Sequence, residues 1–243
     1  MSNTAATSVR PEEVAPERIR TARTTGLLYL GLAITGLFGY MIIRNQLFVA
    51  GQPESTLANL IQHKSLAGLG IVIELGVVIT QALAAVWFYR LFRSVNAFAA
   101  GSIAAFGLIN AVAILASAAL LATALDVSKD ASLTVGGGAA ATAQLLYIVS
   151  GHLWTTGGIF FGLWLIPMGW LVRRSGWMPN LLGWILMLGG VGYIANTLLR
   201  YLVPDAGPAL DLLTLPATIG ELWMVGYLCV RGVRRPSPEP VSP

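Results

Sequence analysis

Six stretches of the chain are apolar for long enough to cross a hydrocarbon core, with shorter and more polar segments between them. They run from Thr24 to Ile43, Leu66 to Tyr89, Val95 to Leu125, Tyr147 to Val172, Leu181 to Val203 and Leu213 to Val230. A bilayer core about 30 Å thick needs about 20 residues of helix at 1.5 Å rise each. Only helices or closed barrels satisfy their own backbone in lipid, and these stretches lack the alternation of barrel strands. The pattern predicts an all-α fold, a polytopic integral membrane bundle of six transmembrane helices. The third stretch is longer than a bilayer needs and should tilt or project. Ala139 to Leu146, apolar and small, should either lengthen the fourth helix or lie along the interface.

Between the first two stretches, Ser55 is placed to cap a helix carrying Leu57, Leu60, Ile61 and Lys64 at helical spacing, so a short amphipathic helix is expected on the outer surface. The segment from Asp126 to Gly138 ends in three glycines and reads as a mobile loop. Residues 1–23 are polar, with Pro11 and Pro16, and residues 234–243 are proline-rich; both read as disordered segments flanking a membrane domain at 24–233. The leading segment has no apolar centre of the kind a signal peptide needs.

Composition agrees with this layout: 56% of residues are hydrophobic and 11% charged, against roughly 25% charged in soluble domains. The formal net charge of +4 does not point to nucleic acid, because the basic residues sit in small groups at the ends of apolar runs. Of the 15 Lys and Arg residues, only Arg44, Lys64, Lys129 and Arg200 fall on one side of the layout; the rest share the side of both termini. The excess of positive charge marks that side as cytoplasmic. The lone cysteine, Cys229, lies within an apolar run, where it acts as a small hydrophobe.

Ionisable groups inside spans are costly and point to function or to a specific pair. Glu74 and Glu221 lie at similar depths in the second and sixth spans. Tyr40 and Arg44 end the first span, Asn110 lies mid-way along the third, His152 opens the fourth, and Tyr193, Asn196 and Arg200 line the outer third of the fifth. All six helices thus bring a polar group to the outer half, while the inner half offers little beyond Gln81. These residues predict a polar pocket opening outward. In it Glu74 and Glu221 would act as acid and base on a lipophilic substrate, a lipid or prenyl-type molecule, with His152 as relay, Arg200 as anion anchor, and Tyr40, Arg44, Asn110, Tyr193 and Asn196 as lining. The same residues admit plainer roles: arginines reaching for headgroups, asparagines bonding helix to helix, and the glutamates held in an ion pair with Arg44 or Arg200. A structural or regulatory component is therefore the alternative to a binding protein or enzyme. A permease would need a polar path to the cytoplasmic side. No spacing typical of a metal site or of a cofactor-binding motif occurs, and none is expected.

Glycines crowd the fourth and fifth spans, Gly158 and Gly162 in a GxxxG pattern, so these spans should form a tight hairpin whose glycine face also allows a homodimer. The run Gly158-Ile-Phe-Phe-Gly162-Leu163, then Arg174-Ser-Gly-Trp-Met-Pro179, Leu182-Gly183, Gly189-Gly-Val-Gly-Tyr193 and Gly220-Glu221, resembles a bacterial multi-pass family known as domain of unknown function four-three-eight-six. The resemblance runs from about Arg20 to Gly232. It implies the membrane fold and a bacterial cytoplasmic membrane, and it implies no catalytic residues.

The charge asymmetry gives a direct expectation. A fluorescent protein fused after Pro243 should fold and fluoresce, and a cysteine at Lys129, in a Cys229→Ser background, should react with an impermeant maleimide from outside intact cells. Labelling only after lysis would reverse the orientation.

Overall fold

The computed structural model describes residues 11–134, 136 and 138–234. Six helices are long and apolar enough to cross a membrane. The first span runs through α1 (Pro11–Gly36), a π-helical stretch (Leu37–Ile43) and α2 (Arg44–Leu47). After it come the short α3 (Pro53–Gln62), then α4 (Lys64–Phe92), α5 (Ala97–Val127), α6 (Gly138–Ser175) and α7 (Asn180–Leu202). The short α8 (Gly207–Asp211), a turn of 3-10 helix (Leu212–Thr214) and α9 (Leu215–Val230) complete the sixth span.

The spans form a ring in chain order, α1 on α4, α4 on α5, α5 on α6, α6 on α7 and α7 on α9, closed by α9 on α1. Close approach is obtained with glycines opposite larger groups. Gly31 and Gly76 receive the methyls of Thr80 and Thr35 in a reciprocal α1–α4 contact; both threonine hydroxyls bond back to their own helices, at 2.8 Å to Gly31 O and 2.7 Å to Gly76 O. On the α6–α7 hairpin, Gly162 faces the Gly190 carbonyl and Gly169 the Gly183 carbonyl. The glycine face that would have allowed dimerisation is thus filled by packing within the chain.

The end of the bundle that holds Arg18, Arg90 and Arg173 is packed with aromatic rings. Phe88 meets Tyr29 edge-on at 5.3 Å and Trp164 at 5.5 Å, and Phe92 stacks on Trp177 at 5.9 Å. Phe88, Phe92 and Trp164 are wholly buried. Arginines stack on the rim of this plug, Arg18 over Trp177 at 4.6 Å and Arg173 over Trp184 at 3.8 Å.

Two expectations are corrected here. Residues 11–23 are helical rather than disordered, because tertiary contacts hold them: Glu17 pairs with Arg90 at 2.9 Å, Ile19 packs on the core and Ala22 is fully buried. Residues 1–10 and 235–243 lie outside the described residues. The helix at the opposite end exists but starts earlier than Ser55. Pro53 takes its first turn, where a missing N–H costs nothing, and Ser55 Oγ donates to Gln52 Oε1 at 3.0 Å. This α3 is pinned onto the extended start of α6, Thr56 Oγ1 donating to Gln144 Oε1 at 2.7 Å and Gln144 Nε2 to Val49 O at 3.2 Å. Ala139 to Leu146 therefore lengthens the helix instead of lying along the interface. In the loop that precedes α6, the Ser132 hydroxyl and N–H hold the Asp130 carboxyl below the usual carboxylate range.

Gly162→Val should destabilise the protein by about 2 kcal/mol, the usual cost of overpacking, and lower its thermal midpoint in detergent. Gly101→Ala, where an added methyl meets nothing within 4 Å, should leave the midpoint unchanged or raise it. Equal effects of the two would show that the hairpin contact is not tight.

Candidate functional site

The buried stripe of α4 reads Ala67, Gly70, Glu74, Val77, Gln81, Ala84 and Phe88, a spacing of three and four residues that puts both polar groups on the inward face. The facing stripe of α5 carries Asn110 and Ser117 among apolar residues. Glu74 accepts from Ser117 Oγ at 2.5 Å and from Trp154 Nε1 of α6 at 2.6 Å. Ser117 lies 2.7 Å from Ser150 Oγ, and Ser150 accepts from Arg44 Nη1 at 2.9 Å. A hydroxyl has one proton to give, and Ser117 gives its own to Glu74, which fixes the direction of the rest of the chain. Ser150 accepts from Arg44 and donates to Ser117, which donates to Glu74. Both donors reaching Glu74 arrive at the same oxygen, as a carboxylate would accept them.

Arg44 is held further by the Tyr147 carbonyl, to which its other terminal nitrogen donates, and by the rings of Tyr40 and Tyr147, each 5.4 Å away. It reaches the interior because the first span widens into a π-helix just before it, a deviation often found at functional sites. Arg44 and Glu74 together line a small cavity of about 10 Å³, about the size of one water. Deeper, Asn110 Nδ2 donates to Gln81 Oε1 at 3.0 Å.

Glu221 lies elsewhere. Its partner is the hydroxyl of Tyr29 in α1. The α1 and α9 helices touch closely at Gly26, which lies against Leu228 and Cys229. Beyond that contact a cavity of about 490 Å³ lies between them, with Tyr29, Val77, Glu221 and the rings of Trp154, Phe161 and Tyr193 in its lining. Ile34, Leu37 and Met41 of the first span and Leu222 of α9 also line it and are substantially exposed, so the cavity opens sideways between the first and sixth spans.

A second cavity of about 340 Å³ adjoins it, lined by Thr155, Asn196, Thr197, Arg200, Asp211 and Thr214 among others. The two share Gly36, Met41, Trp154, Phe161 and Tyr193. Arg200 donates to Asn196 Oδ1 at 3.0 Å and pairs with Asp211; Asn196 donates to the Leu210 carbonyl at 2.6 Å.

The structure therefore brings the expected residues together in two groups rather than one. Arg44 and Glu74 share the closed network, with the Tyr40 ring tilted against that of Trp154 at 4.6 Å. Tyr193, Asn196, Arg200 and Glu221 line the open crevice. Asn110 lines neither. His152 is exposed, and only its backbone carbonyl is engaged, by Thr156 Oγ1 at 2.6 Å; a relay between the acids is not what its position serves. Sequence reasoning passed over Tyr29, Ser117, Ser150, Trp154 and Asp211. A lone serine in an apolar helix is a weak signal, and only the counter-helix reveals its partner. Among the described residues no three His, Cys, Asp or Glu side chains converge as metal ligands would.

The model of the family described as Domain of unknown function (DUF4386) matches residues 24–232. The chain belongs to this family. An uncharacterized protein of Archaeoglobus fulgidus is similar over 76 residues at 36% identity, which is 31% of this chain and 44% of that protein. The match thus spans under half the relative's length. No solved structure matches significantly. The DUF4386 region contains both acids, Arg44 and the whole crevice.

Removing one member of the closed network should be costly, because the other stays buried. Arg44→Met or Glu74→Gln alone should cost about 3–5 kcal/mol, and the double variant less than the sum. A double-mutant cycle on thermal unfolding measures this; strictly additive costs would show that the two hydroxyls do not couple the charges.

Proposed function

We propose that this DUF4386 protein binds a lipophilic small molecule or lipid, of acyl or prenyl character, in the crevice between α1 and α9, from within a bacterial cytoplasmic membrane and with both termini cytoplasmic. The reading rests on one observation: an apolar cavity edged by exposed residues of the first and sixth spans adjoins a more polar one, and the two share five lining residues. That order of surfaces suits an amphiphile, chain below and head above. The apolar volume lies in the range that holds drug-sized ligands.

Binding is favoured over two-carboxylate chemistry because Glu221 alone of the two acids lines the crevice, while Glu74 is occupied by two donors. A structural role suits Glu74 better, since its network ties α4, α5, α6 and the end of the first span. A permease reading is disfavoured by the aromatic plug at the arginine-rich end.

The test is native mass spectrometry of the protein in mild detergent, followed by solvent extraction of whatever remains bound. A stoichiometric lipophilic compound should be found, and it should be lost in Ala33→Trp, which fills the crevice from α1. A clean, empty wild-type mass would overturn the reading.

A further inference from the structure

The crevice holds a carboxyl with no cationic group beside it among the described residues. Three ionisable acids and bases line the joined cavities, Arg200, Asp211 and Glu221. Arg200 and Asp211 neutralise one another as an ion pair. Among the described residues no Lys, Arg or His nitrogen lies within ion-pair distance of Glu221. Its hydrogen-bond partner is a neutral phenol, which leaves the carboxyl facing apolar space with no positive charge to answer it. A carboxylate so placed is expensive unless something supplies the opposite charge.

What surrounds it is equally specific. The rings of Tyr29, Trp154, Phe161 and Tyr193 line the same cavity, with Phe161 and Tyr193 stacked at 5.7 Å and Trp154 extended by Tyr40. Aromatic faces present negative potential and attract cations, most strongly where water is excluded. A carboxylate backed by a ring of aromatic faces is the complement of an organic cation whose charge is shielded by hydrocarbon. The one arginine in the lining is already paired with Asp211, so no free cationic group there stands ready for a fatty acid or a phospholipid phosphate.

We infer that the crevice selects a lipophilic cation, an amine or a quaternary ammonium or phosphonium ion carrying apolar substituents, with Glu221 as the counter-charge and Tyr193, Phe161 and Trp154 as the cage. This rests on the crevice being a lipophilic binding site, and it adds the charge of the ligand. Tyr29 is a positioning residue: its hydroxyl holds one carboxylate oxygen and leaves the other for the ligand.

The experiment uses the full chain in phosphatidylcholine nanodiscs and three probes of similar bulk: tetraphenylphosphonium, tetraphenylborate and neutral triphenylphosphine oxide, measured by equilibrium dialysis. Tetraphenylphosphonium should bind near one per chain. Glu221→Gln, which can still accept the Tyr29 hydroxyl, should weaken it at least tenfold at unchanged thermal midpoint. Phe161→Leu should weaken it several-fold by removing one aromatic face, and serves if the Glu221 variant does not fold. Equal retention of the anion or the neutral probe, or undiminished cation binding in both variants, would overturn the cation inference and leave a general lipophilic site. Retention of none of the probes alongside a co-purified neutral lipid would also overturn it. Retention of none with an empty native mass would remove the underlying reading as well.

Discussion

A buried guanidinium and a buried carboxylate that never touch organise the half of this bundle remote from the arginine-rich end. Arg44 and Glu74 are joined through Ser150 and Ser117, so the attraction between opposite charges is transmitted by two oriented hydroxyls across three helix interfaces. In lipid no water compensates a misplaced polar group, and each member of such a chain is needed by the next. Arg44 as terminal donor and Glu74 as terminal acceptor give the chain a direction, and reversing the serines would take from Glu74 one of its two donors. The register of α4, α5 and α6 follows from it, and with that register the indole of Trp154 is brought to Glu74.

Trp154 is the hinge between the two polar centres. Its N–H belongs to the closed network, while its ring is a wall of the open crevice and packs at a tilt against Tyr40. Any ligand in the crevice rests on a side chain whose other edge is bonded to Glu74. The closed network therefore sets the shape of the binding surface without offering a group to the ligand.

The fold was legible from the apolar run lengths and arginine positions because both are local properties. Six spans, the α3 surface helix and the α6–α7 glycine hairpin could all be read from spacing along one strand of text. The site was legible only as a list of members. Glu74 and Glu221 have the same chemistry, similar depth and similar apolar flanks, and nothing within either helix separates them. What separates them is the opposite helix: α5 and α6 offer serines to Glu74, α1 offers a tyrosine to Glu221. His152 failed for a related reason, since a residue's depth is set by its span but its facing by the packing of neighbours. The helical start at residues 11–23 was hidden in the same way, its support coming from Arg90 and Trp177, far away in the chain.

The contrast between the acids has a physical consequence for where a ligand can act. Gly26 lets α1 and α9 close at the arginine-rich end, and the aromatic plug fills the axis beside them. Toward the other end α1 gives up regular geometry at Leu37–Ile43 in order to deliver Arg44 inward. A helix that turns one face to α4 and α6 in this way cannot also seal against α9, and the space left over is the crevice in which Glu221 lies. The interaction that stabilises the first acid thus leaves the second with one tyrosine hydroxyl as its partner, at the wall of a cavity rather than inside a network.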